Sequence, residues 1–271
     1  MTGRLVVCPT PIGNLEDITL RVLSALREAD VVACEDTRRT RVLLDRYGVK
    51  AKLVSYHEHN ERSRSAELVG RMRDGAVVAL VSDAGMPLVS DPGYLLVRAC
   101  VAAGLPVEVL PGPSAAITAL VASGLPADEW HFHGFLPRKK GELREVLAGG
   151  EGTLVAFESP RRLPATLALL AELDPSREAA VCRELTKAHE EIVRGTAAEL
   201  AARYGDGPPK GEVVLVVSPP ASPSSDSPDP KALSALQQLV DAGAHPRKAA
   251  TVVASLTGTS ANALYRALTS E

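Results

Sequence analysis

The sequence is poor in aromatic side chains, which make up only 3% of its 271 residues. Proteins that read unpaired nucleotides commonly stack the bases on aromatic rings, so this scarcity disfavours an aromatic base-stacking surface. The formal net charge is −3, which gives no overall attraction to nucleic acid. A nucleic-acid-binding role would therefore have to depend on local basic patches.

Cysteine pairs with metal-binding or redox spacing are missing. The four cysteines, at positions 8, 34, 100 and 182, show no C-x-x-C spacing, which favours buried thiols in a reducing compartment. No apolar run reaches membrane-spanning length, and residues 1–4 lead straight into a strand-like run without a secretory signal. We therefore expect a cytoplasmic protein with no membrane partner.

Two common nucleotide-binding motifs are also missing. The first turn reads Thr-Pro-Ile-Gly-Asn (residues 10–14), not G-x-G-x-x-G, so a dinucleotide fold or an ordinary Rossmann methyltransferase has no support. The chain has no phosphate-binding P-loop either. His57 and His59 share a strand face but lack a third spaced ligand, so we predict no metal site.

The chain contains instead an alternation of strand-like and helix-like segments. Short apolar runs begin at positions 5, 31, 53, 77 and 107, and each is followed by a polar turn and then by helical spacing. This alternation predicts a parallel sheet with helices on its faces. Residues 130–217 repeat the pattern and predict a second α/β unit with one strand fewer.

Changes in composition mark the predicted domains. Residues 1–115 form an N-terminal α/β domain and residues 116–218 a C-terminal α/β domain. Residues 219–230 are rich in proline and serine and predict a linker that need not be ordered. Residues 231–271 predict a small helical tail, in which apolar residues from 249 to 268, on either side of Gly258, predict two short helices resembling a helix-turn-helix.

The central stretch, residues 77–93, holds the most unusual group of residues. A strand-like apolar run is followed by a loop that carries two acids, Asp83 and Asp91. Ligands bind outside the carboxyl ends of parallel strands, and Ala84 and Gly85 leave the backbone there uncovered. We therefore predict a ligand loop; the alternative is a surface loop with two helix-capping aspartates.

Seven turns form an ordered set that spans both α/β units. They read TPIGNLED (10–17), EDTR (35–38), SDAGMP (82–87), SDPG (90–93), PGPSA (111–115), ESPRR (158–162) and RELTK (183–187). The set resembles the tetrapyrrole methylase superfamily and, within it, the bacterial small-subunit ribosomal RNA methyltransferase I family. Members that modify tetrapyrroles usually carry Gly-Asp-Pro where this chain has Ser82-Asp83-Ala84, which favours the RNA branch.

The resemblance implies two unlike α/β domains of the tetrapyrrole methylase type around a cleft, a small helical C-terminal tail, and a homodimer. It implies S-adenosylmethionine as the methyl donor, folded in the cleft. The implied acceptor is the ribose 2′-hydroxyl of a cytidine in the decoding region of small-subunit ribosomal RNA, either as free RNA or in the assembled subunit. The residues expected to bind the donor are Pro11, Asp83, Ala84, Gly85, Met86, Ser114, Ala115 and Phe157.

Two rival interpretations stay open at this point. A methylase of the same fold could act on a tetrapyrrole of the uroporphyrinogen or precorrin type. Alternatively, the chain could be a ribosome-assembly factor that binds RNA through its tail and basic loops without catalysis. A coloured product would favour the first rival, and failure to bind S-adenosylmethionine would favour the second.

A ribose hydroxyl must lose its proton as it attacks the donor, so a carboxylate or an amine of lowered pKa has to lie within hydrogen-bond reach. The candidates directly follow predicted strands: Glu35, Asp36, Glu158 and Lys187. Among them we predict Glu35 and Lys187 as the catalytic residues. For Glu158 and Glu184, the alternative role is pairing with neighbouring arginines.

RNA phosphates require cations, and the chain offers two basic clusters. The denser cluster is Arg138, Lys139 and Lys140, and the second is Arg161 and Arg162. We predict that both clusters bind RNA. The alternative for either one is a solvated surface with no partner.

Overall fold

The computed structural model describes residues 3–150, 152–220, 229–257 and 261–269. The chain divides into two compact units, the first running to Ser218 and the second beginning at Pro219. Residues 221–228 of the predicted linker lie outside the described residues. The four cysteines are buried and unbridged, as predicted. In the described ranges, no helix combines the length and the apolar character needed to cross a membrane.

The first unit contains two sheets, of which the first is entirely parallel. Its strands are β1 (Arg4–Val7), β2 (Val31–Cys34), β3 (Leu53–Ser55), β4 (Val77–Leu80) and β5 (Val107–Val109). They lie in the order β3-β2-β4-β1-β5. The central strands are continuous apolar runs because both of their faces are covered by helices. The predicted parallel sheet is confirmed.

Four helices accompany this sheet: α1 (Leu20–Glu28), α2 (Thr37–Arg46), α3 (Glu61–Arg73) and α4 (Tyr94–Ala102). A fifth helix, α5 (Ala115–Ser123), follows β5. α1 begins at Leu20 because Thr19 caps it by accepting a hydrogen bond from the Val22 backbone. Asp36 caps α2 in the same way through the Arg38 backbone. These caps fix the turns that follow β1 and β2.

The second sheet is mixed. Its strands are β6 (Trp130–Phe135), β7 (Thr153–Glu158), β8 (Glu178–Arg183), β9 (Glu191–Thr196) and β10 (Val213–Val217), in the order β6-β7-β10-β8-β9. β6 and β7 are parallel, whereas the other pairs are antiparallel. The prediction of one strand fewer was wrong. β9 lies at the sheet edge and reads EIVRGT, so it lacks the apolar run that reveals a buried strand.

Helices cover both faces of the second sheet. On one face pack α6 (Lys140–Ala148), α7 (Leu163–Leu173) and α8 (Ala197–Tyr204). On the other face packs α5, through buried alanines and Leu120. Because α5 follows the last strand of the first sheet, it leads the chain from one sheet to the other.

The second unit is helical. Among its described residues are three helices, α9 (Pro230–Asp241), α10 (Pro246–Thr257) and α11 (Ala261–Thr269). They share a small apolar core that includes Leu236, Val253 and Leu264. The two short helices predicted on either side of Gly258 correspond to α10 and α11, and α9, capped by Asp229, is an additional helix. Gly258 lies outside the described residues.

Candidate active site

Most of the predicted donor-binding residues surround one cavity. This cavity has a volume of about 400 Å³, which is within the usual range for small-molecule sites, and we call it the main cavity. Turns of the first sheet line one side of it and the ends of β7 and β10 line the other. Six of the eight predicted donor-binding residues lie here: Ala84, Gly85, Met86, Ser114, Ala115 and Phe157.

The loop after β4 presents bare backbone to the main cavity. Gly85 has a φ of 77°, a conformation that strains any residue with a side chain. Two hydrogen bonds join it to the turn after β1: Thr10 N donates to Gly85 O at 2.9 Å, and Gly85 N donates to Thr10 O at 3.0 Å. The loop is thereby held in a conformation that lets a ligand approach its backbone.

The other two predicted donor residues, Pro11 and Asp83, line a neighbouring cavity of about 380 Å³. Ala84 borders both cavities. Asp83 Oδ1 accepts a hydrogen bond from Asp36 N at 3.0 Å, and Asp83 Oδ2 lies 3.5 Å from Arg39 Nη1. The Asp83 carboxylate therefore also orders the start of α2.

Lys187 lies on this neighbouring cavity, between two carboxylates. Its Nζ is 2.7 Å from Glu184 Oε1 and 3.1 Å from Glu212 Oε2. Burial lowers the pKa of Lys187, but the hydrogen bonds to both carboxylates outweigh burial, and the net pKa is raised. A base would need the opposite shift. Lys187 thus acts as a fixed positive charge in this arrangement, and its catalytic role stays a prediction.

Glu35 lies on a third cavity of about 580 Å³, which we call the acidic cavity. Asp91 borders both the acidic cavity and the main cavity. Burial raises the pKa of Asp91 to about 6, with further contributions from the charges of Glu35 and Asp83. Burial and the Asp83 charge also raise the pKa of Glu35. A raised pKa makes a carboxylate a stronger base, so both side chains are suited to accept a proton.

The loop that carries Asp91 is strained and tightly held. Leu88 and Ser90 have φ values of 73° and 66°, which residues with side chains seldom adopt. The Glu61 carboxylate accepts hydrogen bonds from Gly93 N at 2.9 Å and from Leu95 N at 3.2 Å, which fixes the end of the loop. Such strain is concentrated at functional sites.

Sequence reasoning noted Asp91 in the ligand loop but left it out of the predicted site. A usable signal was its position directly before a Pro-Gly turn that opens a helix, within the same loop as Asp83. Its burial between two cavities could not be read from that pattern. The structure therefore adds Asp91 to the candidate residues.

Glu158 lines the main cavity but is occupied by internal partners. Its side chain is 1% exposed, and Oε2 lies 3.0 Å from Arg162 Nη2. The same oxygen accepts a hydrogen bond from the Thr166 hydroxyl at 2.7 Å, and Oε1 accepts one from Ser159 N at 2.6 Å. This is the pairing with a neighbouring arginine that was the alternative to catalysis.

Arg162 also makes its contacts within the protein. Besides pairing with Glu158, its Nη2 donates to Leu136 O at 2.8 Å and to Pro137 O at 2.9 Å. The guanidinium thus anchors the segment that leads into the first basic cluster. Direct RNA binding by Arg162, as predicted, would have to compete with these internal contacts.

The remaining predicted RNA-binding residues are exposed. Lys139 and Lys140 each lie within 4.0 Å of a carboxylate, on α6 and α7 respectively. Arg138 and Arg161 form no ion pair with any residue that the structure describes. These two arginines are therefore the cations most readily offered to an RNA phosphate.

Thiol and metal chemistry find little support at the site. Cys182 lines the main cavity, but burial raises the pKa of its thiol to about 11, so the thiolate is scarce at neutral pH. Over the described ranges, no three histidine, cysteine or acidic side chains are placed to hold a metal ion.

Comparison with known families identifies similar chains. The profile of the family described as tetrapyrrole (corrin/porphyrin) methylases matches residues 4–201. Ribosomal RNA small subunit methyltransferase I of Mesorhizobium japonicum is 48% identical over 269 residues, which cover 97% of this chain and 90% of the relative. The Escherichia coli O157:H7 protein of the same name is 44% identical and covers 97% and 94%. The Thermotoga maritima protein of that name is 45% identical over 218 residues, covering 80% and 98%.

Solved structures share the fold. Uroporphyrin-III C-methyltransferase from Thermus thermophilus is 26% identical, with a TM-score of 0.57, and the match covers 80% of this chain and 94% of that one. A structure of that enzyme complexed with S-adenyl homocysteine is 23% identical, with a TM-score of 0.56 and coverages of 80% and 97%. Diphthine synthase is 18% identical, with a TM-score of 0.58 and coverages of 80% and 90%. One fold thus serves differently named enzymes, and the acceptor must be argued from other observations.

Proposed function

The chain belongs to the tetrapyrrole methylase family and, within it, to the ribosomal RNA small subunit methyltransferase I family, and from this we propose that it methylates small-subunit ribosomal RNA with S-adenosylmethionine as donor. The proposed acceptor is the ribose 2′-hydroxyl of a cytidine in the decoding region. The observation that carries the proposal is the main cavity, which gathers six of the predicted donor-binding residues from both sheets.

The sulfonium donor is already activated, so the main task of the protein is to align its methyl carbon with the attacking oxygen. The bare backbone at Ala84 and Gly85 lets the donor lie close to the loop after β4. Asp83 supplies an acceptor for the ammonium or hydroxyl groups of the donor from the neighbouring cavity. Phe157 contributes an apolar wall from the second sheet.

The attacking hydroxyl needs a proton acceptor beside the donor. Asp91 is best placed, because among the described residues it is the carboxylate that borders both the main cavity and the acidic cavity. Glu35 lies beside it on the acidic cavity and raises its pKa. Lys187 can act as a base only after its contacts with Glu184 and Glu212 are broken.

Product mapping tests the proposal. Labelled S-adenosylmethionine is incubated with unmodified small-subunit RNA, free and in assembled subunits, and the product is mapped by nucleoside mass spectrometry. We expect 2′-O-methylcytidine at one position. A methylated base would contradict the ribose acceptor. Methylation of a uroporphyrinogen-type substrate alone would favour the tetrapyrrole interpretation, and failure to bind the donor would favour the assembly factor.

We also propose that the protein is a homodimer that works in the cytoplasm, where its RNA substrate is found. Ile117 and Val121 are 45% and 74% exposed and lie one turn apart on α5, so they offer an apolar surface that a second copy can cover. Analytical ultracentrifugation tests this. A monomer at micromolar concentration would contradict it.

A further inference from the structure

A bulge in β6 decides where the last side chain of that strand lies. Phe132 is paired with Val155 and Phe135 with Phe157, and the register shifts between Phe132 and Gly134. Strand partners two residues apart share a face, so Phe132 and Phe135 lie on the same face although they are three residues apart. In an unbroken strand, Phe135 would point to the opposite face.

The bulge directs Phe135 to the main cavity. Its ring centroid lies 5.4 Å from that of Phe157, at an interplanar angle of 64°, and both rings line this cavity. Phe135 nevertheless remains 66% exposed. The chain thus holds an aromatic ring at the mouth of the donor cavity, where most of the ring is free to contact a ligand.

An unpaired cation follows Phe135 closely along the chain. Arg138 is three residues away, is exposed, and forms no ion pair within the described ranges. The two carbonyl groups between them, at Leu136 and Pro137, are both held by Arg162. The backbone between the ring and the cation is therefore held in place. An aromatic platform beside a cation fits a single unpaired nucleotide, whose base stacks while its phosphate pairs.

We propose that the base of the target nucleotide stacks on Phe135 while its ribose faces the donor in the main cavity. This inference rests on the proposed function and adds the residue that holds the target base. A ribose inside a cavity requires its nucleotide to leave the surrounding RNA structure, and a stacking surface compensates for the neighbouring bases that it leaves. The low aromatic content of the chain is no obstacle, since one ring suffices for one base.

Substitutions of Phe135 test the proposal. Phe135→Ala, Phe135→Leu and Phe135→Trp are compared by RNA binding, by single-turnover methylation over a range of RNA concentrations, and by calorimetric titration with S-adenosylmethionine. We expect Phe135→Ala and Phe135→Leu to weaken RNA binding about tenfold and Phe135→Trp to retain it, because stacking needs a ring. Donor affinity should stay within twofold. Leu20→Ala, at a residue 82% exposed on α1, is the matched surface control.

Three results would overturn the stacking proposal. RNA affinity equal to that of the parent in Phe135→Leu would show that no ring is needed. Tenfold weaker donor binding in Phe135→Ala would assign the ring to the donor instead. A parent protein that leaves the RNA unmethylated would refute the proposed function itself, whereas full activity in both the parent and Phe135→Ala would refute the stacking alone.

Discussion

The acidic side chains at the ends of the two sheets differ in their partners. At the first sheet, Glu35 and Asp91 form no ion pair within the described residues, and burial raises the pKa of both. At the second sheet, Glu158 and Glu184 lie within 3.0 Å of Arg162 and Lys187. The hydrogen bond from Lys187 lowers the pKa of Glu184. Carboxylates suited to accept protons thus come from the first sheet, and carboxylates fixed in ion pairs come from the second.

The difference has a local cause. In the second sheet, each acid has its cation three or four residues further along the same turn, so the pair forms within one segment. In the first sheet, the parallel strands bring turns that are distant in sequence to one edge, and Glu35, Asp83 and Asp91 gather there. Like charges at short range raise one another's pKa.

The largest expected effect comes from removing the proton acceptor of the first sheet. Asp91→Asn should slow single-turnover methylation at least about 100-fold while leaving donor binding unchanged. A base acts in its deprotonated form, so the rate of the parent should rise with pH through about 6, and the rate of the variant should lack that rise. A variant with the parent's rate would show that Asp91 is not the proton acceptor, and the proposed difference between the two sheets would not hold.

Substitutions in the ion pairs of the second sheet should lower the free energy of unfolding rather than the rate of methylation. Arg162→Met leaves Glu158 buried without its cation and should cost about 2 kcal/mol, less than a fully buried pair because Arg162 is 29% exposed. Urea unfolding measures this cost. The double variant with Glu158→Gln should recover part of the loss, since no buried charge then lacks a partner. An unchanged urea midpoint for Arg162→Met would show that the Arg162–Glu158 pair does not contribute to stability.

Asp83 is an exception among the acids at the end of the first sheet, because it has a cationic partner, Arg39. Asp83→Ala should weaken S-adenosylmethionine binding at least about tenfold in calorimetric titration, as expected for removal of a hydrogen bond to a charged group. Asp83→Asn is the matched control, since it keeps an oxygen for the Asp36 backbone. Equal affinities for parent and Asp83→Ala would remove Asp83 from the donor site.

The basic cluster tests whether cations of the second sheet also bind RNA. Replacing Arg138, Lys139 and Lys140 together by alanine should lower the salt dependence of RNA binding by about one unit of slope for each phosphate that the variant no longer binds. Donor affinity should not change. Identical slopes for parent and variant would make the cluster a solvated surface.

The smallest effect is expected from removing the second unit. A chain that ends at Ser218 keeps every residue that lines the main cavity, so its donor affinity should match that of the parent. Weaker RNA binding with an unchanged rate at saturation would assign the helical tail to recognition. Loss of donor binding would place the domain boundary elsewhere.

Sequence patterns revealed the buried strands and the ligand loop because these depend on local runs of residues. The apolar run at β4 and the bare Ala84-Gly85 backbone are both visible in the sequence. The half-exposed edge strand β9 was missed because its apolar residues are interrupted by charged ones. The pKa of Asp91 was also out of reach, because it depends on charges contributed by other turns.

Asp91 borders two cavities, which in the proposed mechanism gives the proton a way out after methyl transfer. A proton accepted on the side of the main cavity can leave through the acidic cavity, without passing the demethylated donor. Glu58 and His59 line that cavity, and their side chains are 80% and 82% exposed, so it is in contact with bulk water.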